Sequence, residues 1–551
     1  MQIMKKNNDW WRGAIIYQVY PRSFQDSNGD GVGDLPGIVA RLDHIAGLGA
    51  EAVWLSPFFK SPMRDFGYDV SDYCDVDPLF GTLDDFDELV ARARELGLKV
   101  LIDLVLSHTS DKHPWFEESR ASRDNPRADW YVWADAQPDG SPPNNWLSIF
   151  GGSAWQWDTR REQYYLHNFL SSQPDLNFHC PDVQDAVLDV ANFWLQRGVS
   201  GFRLDTVNFY VHDRQLRSNP AMPADQHGAG VPRNNPYARQ RHLYDKTQPE
   251  NLIFLNRLRR LLDAHPGAIS IGEIGDDLQY PTLAAYTLGE ERLHMAYVFT
   301  LLTEHCQPTY VHGVLTDYLN EARNAYVCWS LGNHDVARVV SRWQDLGGTP
   351  QQRARLLAAF LMSLPGAVCI YQGEELALPE SDVPFELLQD PYGQTMWPDF
   401  KGRDGCRTPM PWEPGSNGGF SQQNPWLPVN PEHVELCATR QADDANSVLS
   451  FYRQFIAWRK QHPALHFGDM ELLPVHDQVV AFRRTYAGES MLCAFNLSDR
   501  PAQYPIRLTQ RLRPCDDSGF ESRLGEACIE LGPTQAFFAH LQADDIQSGV
   551  A

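Results

Sequence analysis

Three acids sit where short apolar runs end. Gly201-Phe202-Arg203-Leu204-Asp205 puts Asp205 at the end of one run. Gly272-Glu273-Ile274-Gly275 does the same for Glu273, and Asn333-His334-Asp335 places Asp335 just past a third. Carboxyl groups that converge on one point can cleave a glycosidic bond. One attacks or stabilises the sugar cation, and another protonates the leaving oxygen. A single acid so placed more often caps the next helix. Three at matching places point to a shared site. A separate loop, Asp26-Ser27-Asn28-Gly29-Asp30-Gly31-Val32-Gly33-Asp34, alternates oxygen ligands with glycine at the tight turn. It starts like an EF-hand loop, but position 12 is Gly37 rather than Glu. A turn rich in Asx caps fits the same composition.

The elements that must position these acids are legible as two alternating periods. Ala14–Val19, Ala52–Leu55, Val100–Leu106, Val199–Leu204, Ala268–Gly272, Met295–Phe299, Tyr326–Ser330 and Ala367–Tyr371 are short apolar runs. They are expected to be strands buried on both faces. Leu83–Leu96, Val183–Gln196, Asn251–Leu262 and Gln351–Met362 have apolar residues at helical spacing. Eight strands alternating with helices predict a parallel α/β sheet, and eight is the number that closes a (β/α)8 barrel. The pattern alone fits an open sheet as well. Three connections after strands are too long for ordinary loops: 107–182, 208–250 and 372–447. The first holds six of the sixteen tryptophans. In a barrel all three would lie on the face that carries active sites. Beyond about residue 465 the runs 478–484, 491–497, 527–531 and 535–541 alternate between turn residues, as in antiparallel strands. The expected organisation is a barrel over 1–106 and 179–465, an inserted subdomain over 107–178 and a C-terminal β-sandwich over 466–551.

Composition excludes several partners. The 551 residues are 43% hydrophobic and 21% charged, a globular balance. Lys and Arg number 47 against 71 Asp and Glu, for a net charge of −24. So acidic a chain is not expected to bind nucleic acid or an anionic membrane, which need a surplus of cations. The ten cysteines contain no CxxC pair, against a zinc ribbon or thioredoxin-like motif. Residues 1–13 have no apolar core of a signal peptide. The longest apolar stretch, 356–371, is too short to span a bilayer and is split by Pro365-Gly366. A cytoplasmic location is expected.

Eight motifs in order make the chain resemble the α-amylase family of glycoside hydrolases, in its α-glucosidase and oligo-1,6-glucosidase branch. They are Ile16–Phe24, Gly67–Tyr73, Asp103–Thr109, Gln173–Asn177, Gly201–Asp205, Gly272–Gly275, Asn333–Asp335 and Gly402–Met410. The resemblance covers essentially the whole chain. It implies a TIM barrel with an insertion after strand 3 and a C-terminal antiparallel β domain. It implies Asp205 as nucleophile, Glu273 as general acid/base and Asp335 as the acid that grips sugar hydroxyls. Asp65 and Tyr68 correspond to the pair that binds and stacks on the terminal glucose. His108 and His334 resemble the imidazoles that bond its hydroxyls. Arg203 would orient Asp205, and Arg403 would clamp Asp65. Phe150, Phe169 and Gln173 are implied pocket walls. The family also supports a structural Ca2+ site, with Mg2+ as the alternative metal, built from Asp26, Asn28, Asp30, the Val32 carbonyl and Asp34. No organic cofactor is implied.

Two departures refine the expectation. Ser107 stands where many α-amylases have an Asn that binds a different Ca2+, so no second site is expected. Thr206 follows the nucleophile. In this branch Val there accompanies α-1,6 preference, and Ala or Thr accompanies α-1,4. The expected substrates are therefore short α-1,4-glucosides such as maltose, with sugar or alcohol acceptors in transglucosylation. An oligo-1,6-glucosidase or a sucrose-acting enzyme is the alternative. Some transporter heavy chains share this fold without activity, but they carry a membrane anchor and often lack the acids present here.

Overall fold

A computed structural model describes residues 9–226, 228, 231–232, 234–506 and 512–541. Residues 1–8, part of the segment read for a leader, lie outside that set. All eight expected strands form: β1 Ile15–Val19, β2 Ala52–Leu55, β3 Lys99–Leu104, β4 Gly201–Leu204, β5 Ile269–Ile274, β6 Met295–Val298, β7 Cys328–Ser330 and β8 Ala367–Tyr371. They pair in parallel in the order β6-β5-β4-β3-β2-β1-β8-β7. A parallel bridge from Ala296 to Val327 joins the two outer strands and nearly closes the ring. The sheet is therefore a barrel rather than open.

Both strand faces are apolar because both are covered. Ile16, Trp54, Leu101, Ile271, Tyr297 and Cys369 belong to a core inside the ring. Their neighbours Ile15, Tyr17, Val53 and Val368 pack outward in the main core. Gly201 opens β4 with φ +142°, where a Cβ would lie 2.1 Å from the Ile269 carbonyl oxygen. Only glycine lets β4 approach β5 this closely.

Helices α1 Leu35–Leu48, α2 Leu83–Glu95, α3 Pro181–Gln196, α4 Asn251–Asp263, α5 Gln279–Thr287, α6 Pro308–Glu321, α7 Pro350–Ser363 and α8 Val448–Gln461 wrap the ring. α2 shows the local cause. Thr82 and Asp85 form a reciprocal capping box, acids occupy the first turn, and Phe86, Leu89, Val90 and Ala93 turn one face inward.

The three long connections meet above the barrel. The first carries a three-stranded sheet of Trp133–Ala134, Gln163–Leu166 and Trp155–Asp158, around a core that includes Trp146 and Trp155. It bonds the second through Asn145 Nδ2 to the Asn219 carbonyl at 2.8 Å. The second bonds the third through Asn235 Nδ2 to the Tyr392 hydroxyl at 2.9 Å.

The C-terminal region forms antiparallel strands: β9 Asp469–Leu472, β10 Val479–Tyr486, β11 Glu489–Asn496, β12 Ala502–Pro505, β13 Leu512–Pro514, β14 Arg523–Leu524, β15 Cys528–Leu531 and β16 Ala536–Leu541. They make a five-stranded sheet, β9-β10-β11-β16-β13, and a three-stranded one, β12-β15-β14. Val479, Leu492 and Phe537 from the first share a core with Ala502, Ile529 and Leu531 from the second. No helix among the described residues is long and apolar enough to cross a membrane.

Candidate active site

The acids sit at the C-terminal ends of the strands, where backbone pairing fixes their bases. Arg203 on β4 supplies the centre. Its Nη1 donates to Asp205 Oδ1 at 2.7 Å and to Asp103 Oδ1 at 2.8 Å. Its Nη2 lies 2.7 Å from Glu273 Oε1 on β5. One buried guanidinium thus binds three carboxylates. Tyr297 on β6 accepts from Arg203 Nη2 at 2.7 Å and donates to Glu273 Oε1 at 2.8 Å.

Thr206 bridges the pair from the other side. Its N–H donates to Glu273 Oε2 at 3.0 Å, and its hydroxyl donates to Asp205 Oδ2 at 3.2 Å. It does so with φ 39° and ψ 48°. A β-branched residue in left-handed backbone is strained, and strain of this kind persists where the surroundings over-determine it. The β4 turn therefore aims two groups of one residue at two acids.

The environments of the acids differ. Burial pushes Glu273 up to about 7, against the pull of Arg203, and Asp205 and Asp335 add repulsion. Burial also raises the Asp205 carboxyl while Arg203 opposes it. Asp335 behaves oppositely. Burial raises it, but His334, Arg403 and Arg407 outweigh that and hold it well below the usual carboxylate range. Its Oδ1 accepts from Arg407 Nη2 at 2.8 Å and Arg403 Nη1 at 3.3 Å.

A second arginine organises the rim. Arg403 Nη2 donates to Asp65 Oδ1 at 2.9 Å and Asp390 Oδ1 at 2.8 Å. Gln173 Nε2 donates to the other Asp65 oxygen at 3.1 Å. The Tyr68 ring lies parallel to His334, centroids 5.4 Å apart, and its hydroxyl donates to Asp103 Oδ2 at 3.1 Å. His108 Nε2 faces the Tyr68 carbonyl at 2.9 Å, and Nδ1 faces the Ser107 hydroxyl at 2.9 Å. Burial holds His108 near 4 and His334 near 3, so both imidazoles are neutral at pH 7. Phe169 packs on His108 at 5.1 Å, and Phe150 lies 5.9 Å from Phe169 and 5.3 Å from the Arg403 guanidinium.

The thirteen residues expected to act on the sugar thus gather in one contiguous network. Sequence reasoning missed Asp103, Tyr297, Asp390 and Arg407 as partners. Asp103 and Arg407 stood inside quoted motifs, which was a usable signal. Nothing local marks Asp390 or Tyr297, since their partners are distant in the chain.

The expected metal ligands lie apart from this network, in the loop before α1. Asp26 Oδ1 accepts from the N–H of Asn28 and Gly29 at 3.1 and 2.7 Å. Asn28 Oδ1 accepts from Asp30 N–H at 2.9 Å, and Asp30 Oδ1 from Val32 N–H at 2.8 Å. Asp34 Oδ1 caps α1 through Gly37 N–H at 2.7 Å. These are successive Asx turns; Asp30 Oδ1 and Asp34 Oδ1 accept one bond each and keep a lone pair, while both Asp26 oxygens and Asp34 Oδ2 accept two. The donors are all hard oxygens, so the chemistry of the set fits Ca2+ or Mg2+.

Comparison with known proteins gives the family context. Residues 18–468 match the model of the alpha amylase catalytic domain. The chain is 56% identical over 542 residues to a probable alpha-glucosidase of Rhizobium meliloti, covering 98% of each. It is 35% identical over 524 residues to an oligo-1,6-glucosidase of Parageobacillus thermoglucosidasius, covering 89% of this chain and 91% of that one. The crystal structure of an alpha-glucosyl transfer enzyme, XgtA, superposes with a TM-score of 0.95 at 55% identity, over 97% of this chain and 99% of that one.

Proposed function

The chain belongs to the α-amylase family of glycoside hydrolases, on its α-glucosidase side, and we propose that it is a retaining, exo-acting α-glucosidase. It removes terminal α-1,4-linked glucose from short α-glucosides such as maltose, and it also transfers glucose to sugar or alcohol acceptors. The observation that carries this reading is the Asp205–Arg203–Glu273 contact. Two carboxylates on one guanidinium favour the close spacing of about 5–5.5 Å used by a covalent route, over the wider gap that must admit a water.

The steps follow from the environments. Glu273, with its raised pKa, donates its proton to the glycosidic oxygen while an Asp205 oxygen attacks the anomeric carbon. The C–O bond to the leaving sugar breaks with its electron pair, and a glucosyl ester forms on Asp205. Glu273, now a carboxylate, takes a proton from water or an acceptor hydroxyl. That oxygen attacks the anomeric carbon, and Asp205 leaves as carboxylate. Two inversions restore the α configuration. Asp335, held ionised, accepts hydrogen bonds from sugar hydroxyls. The Asp65–Arg403 pair and Tyr68 hold the terminal ring. Thr206 supports the α-1,4 preference, because one β-branched side chain beside the leaving group can separate linkages by about 1–3 kcal/mol. The Asp26–Asp34 loop holds Ca2+ in a structural role. The ten free cysteines support a cytoplasmic location.

Proton NMR of maltose, isomaltose and sucrose turnover tests the reading. The expected first product is α-glucose, formed fastest from maltose, with transfer products at high substrate. β-Glucose as the first anomer would overturn retention. Faster release from isomaltose or sucrose would overturn the linkage and favour the oligo-1,6-glucosidase or sucrose reading. Asp205→Asn is expected to lose at least ~10³-fold in turnover while keeping its circular dichroism spectrum.

A further inference from the structure

A cluster of different chemistry lies outside the active site. His462 follows α8, Glu489 opens β11, and His540 sits near the end of β16. His462 Nδ1 is 3.1 Å from Glu489 Oε1, and His540 Nδ1 is 3.8 Å from the same oxygen. One donor atom from each of the three lies within 4.8 Å of the other two. The second Glu489 oxygen accepts the Ala464 N–H at 2.7 Å, which fixes the carboxylate. His462 packs on Trp458 with ring centroids 4.5 Å apart, and the two imidazoles are 5.2 Å apart. Trp458 is itself held by Asp517 through Nε1 at 3.0 Å.

A hydrogen bond accounts for Glu489 with one imidazole. His540 Nδ1 faces the same oxygen from 3.8 Å, beyond hydrogen-bond range. Two imidazoles and a carboxylate are the ligand types that borderline divalent metals take. Bonds of about 2.0–2.2 Å to a tetrahedral ion put neighbouring ligand atoms roughly 3.3–3.5 Å apart. The observed 3.1 and 3.8 Å bracket that spacing. All three side chains are partly exposed, so a water can complete the shell.

The position assigns a role. Arg459, one turn before His462, donates to the Gly13 carbonyl at 2.8 Å, just ahead of β1. The cluster therefore lies toward the N-terminal end of the barrel, opposite the acids at the C-terminal ends of β4 and β5. We propose that His462, Glu489 and His540 bind a divalent transition-metal ion of the zinc class, which ties the end of α8 to the C-terminal sheet.

The test uses the full chain, stripped with chelator, exchanged into metal-free buffer and then given zinc chloride. One zinc per chain is expected to survive desalting, with a melting temperature several degrees above that of the zinc-free protein. His462→Gln and His540→Gln, made separately, are each expected to lose both effects, while maltose hydrolysis by the zinc-free variants matches that of the zinc-free parent. A parent that retains no zinc overturns the proposal. So does retention in a folded variant equal to the parent's. Two independent variants keep the test decisive if one fails to fold. Parallel addition of calcium chloride separates this site from the Asp26–Asp34 loop, whose all-oxygen donors do not select zinc.

Discussion

Arg203 carries more of the site than any of the acids it serves. Asp103, Asp205 and Glu273 are buried together, and burial alone would neutralise all three. The shared guanidinium leaves Glu273 poised near 7. A consequence for pH follows. Glu273 must hold its proton to act first, so kcat/KM for maltose is expected to fall as pH rises through about 7. Asp335 stays ionised and adds no limb in that range. α-Glucosyl fluoride, whose leaving group needs no proton, is expected to lose the fall at high pH and to keep only the rise that follows ionisation of Asp205. Paired pH–rate profiles check this. The three acids were legible because each ends an apolar run. The arginine lattice that sets their charges was only half legible. A motif shows that Arg203 and Arg403 are present, but not that Arg203 binds Glu273 as well as Asp205, because that contact spans 70 positions of chain.

Elements were easier to read than contacts. The apolar runs located all eight barrel strands within two residues, since a strand covered on both faces must be apolar throughout. Helices α1, α5, α6 and α8 were not singled out, although α1 has a clear Asp34 cap and a Gly49 stop at φ 90°. The small sheet in the first long connection was also missed. Strands of two to four residues carry too few side chains to show a period. The α1 cap links two features that the sequence left separate. Asp34 holds the helix start and belongs to the expected metal loop. From the proposed Ca2+ site, EDTA treatment is expected to lower the melting temperature by a few degrees and calcium chloride to restore it. Scanning calorimetry measures both, with α-glucosidase activity at 25 °C little changed.

Across the whole molecule, a buried arginine helps to fasten the C-terminal sandwich to the barrel. Arg484 on β10 donates to the Gly468 carbonyl at 2.7 Å and to the Ser363 carbonyl at the end of α7. Burial without a carboxylate partner pulls it down to about 10. Arg484→Met fills similar volume but strands both carbonyls, at a cost of about 2–5 kcal/mol. The expected result is a lower calorimetric melting temperature with kcat for maltose unchanged below the transition. The net charge of −24 does not describe the active-site mouth, where Arg203, Arg403 and Arg407 are interleaved with the acids. A neutral sugar meets local pairs there, not a negative field.

The bridge that closes the barrel has its own bearing on this. Elsewhere in the ring neighbouring strands share three or four paired positions, but β6 meets the approach to β7 at Ala296 and Val327. That seam separates Glu273 on β5 from Asp335 beyond β7. The hoop is thus thinnest between the proton donor and the acid that steadies the sugar. On the two sides of the seam separate guanidiniums hold the two acids, Arg203 on Glu273 and Arg403 with Arg407 on Asp335. For an engineer this is the joint to reinforce first: adding paired positions between β6 and β7 would stiffen the ring where its backbone pairing is sparsest.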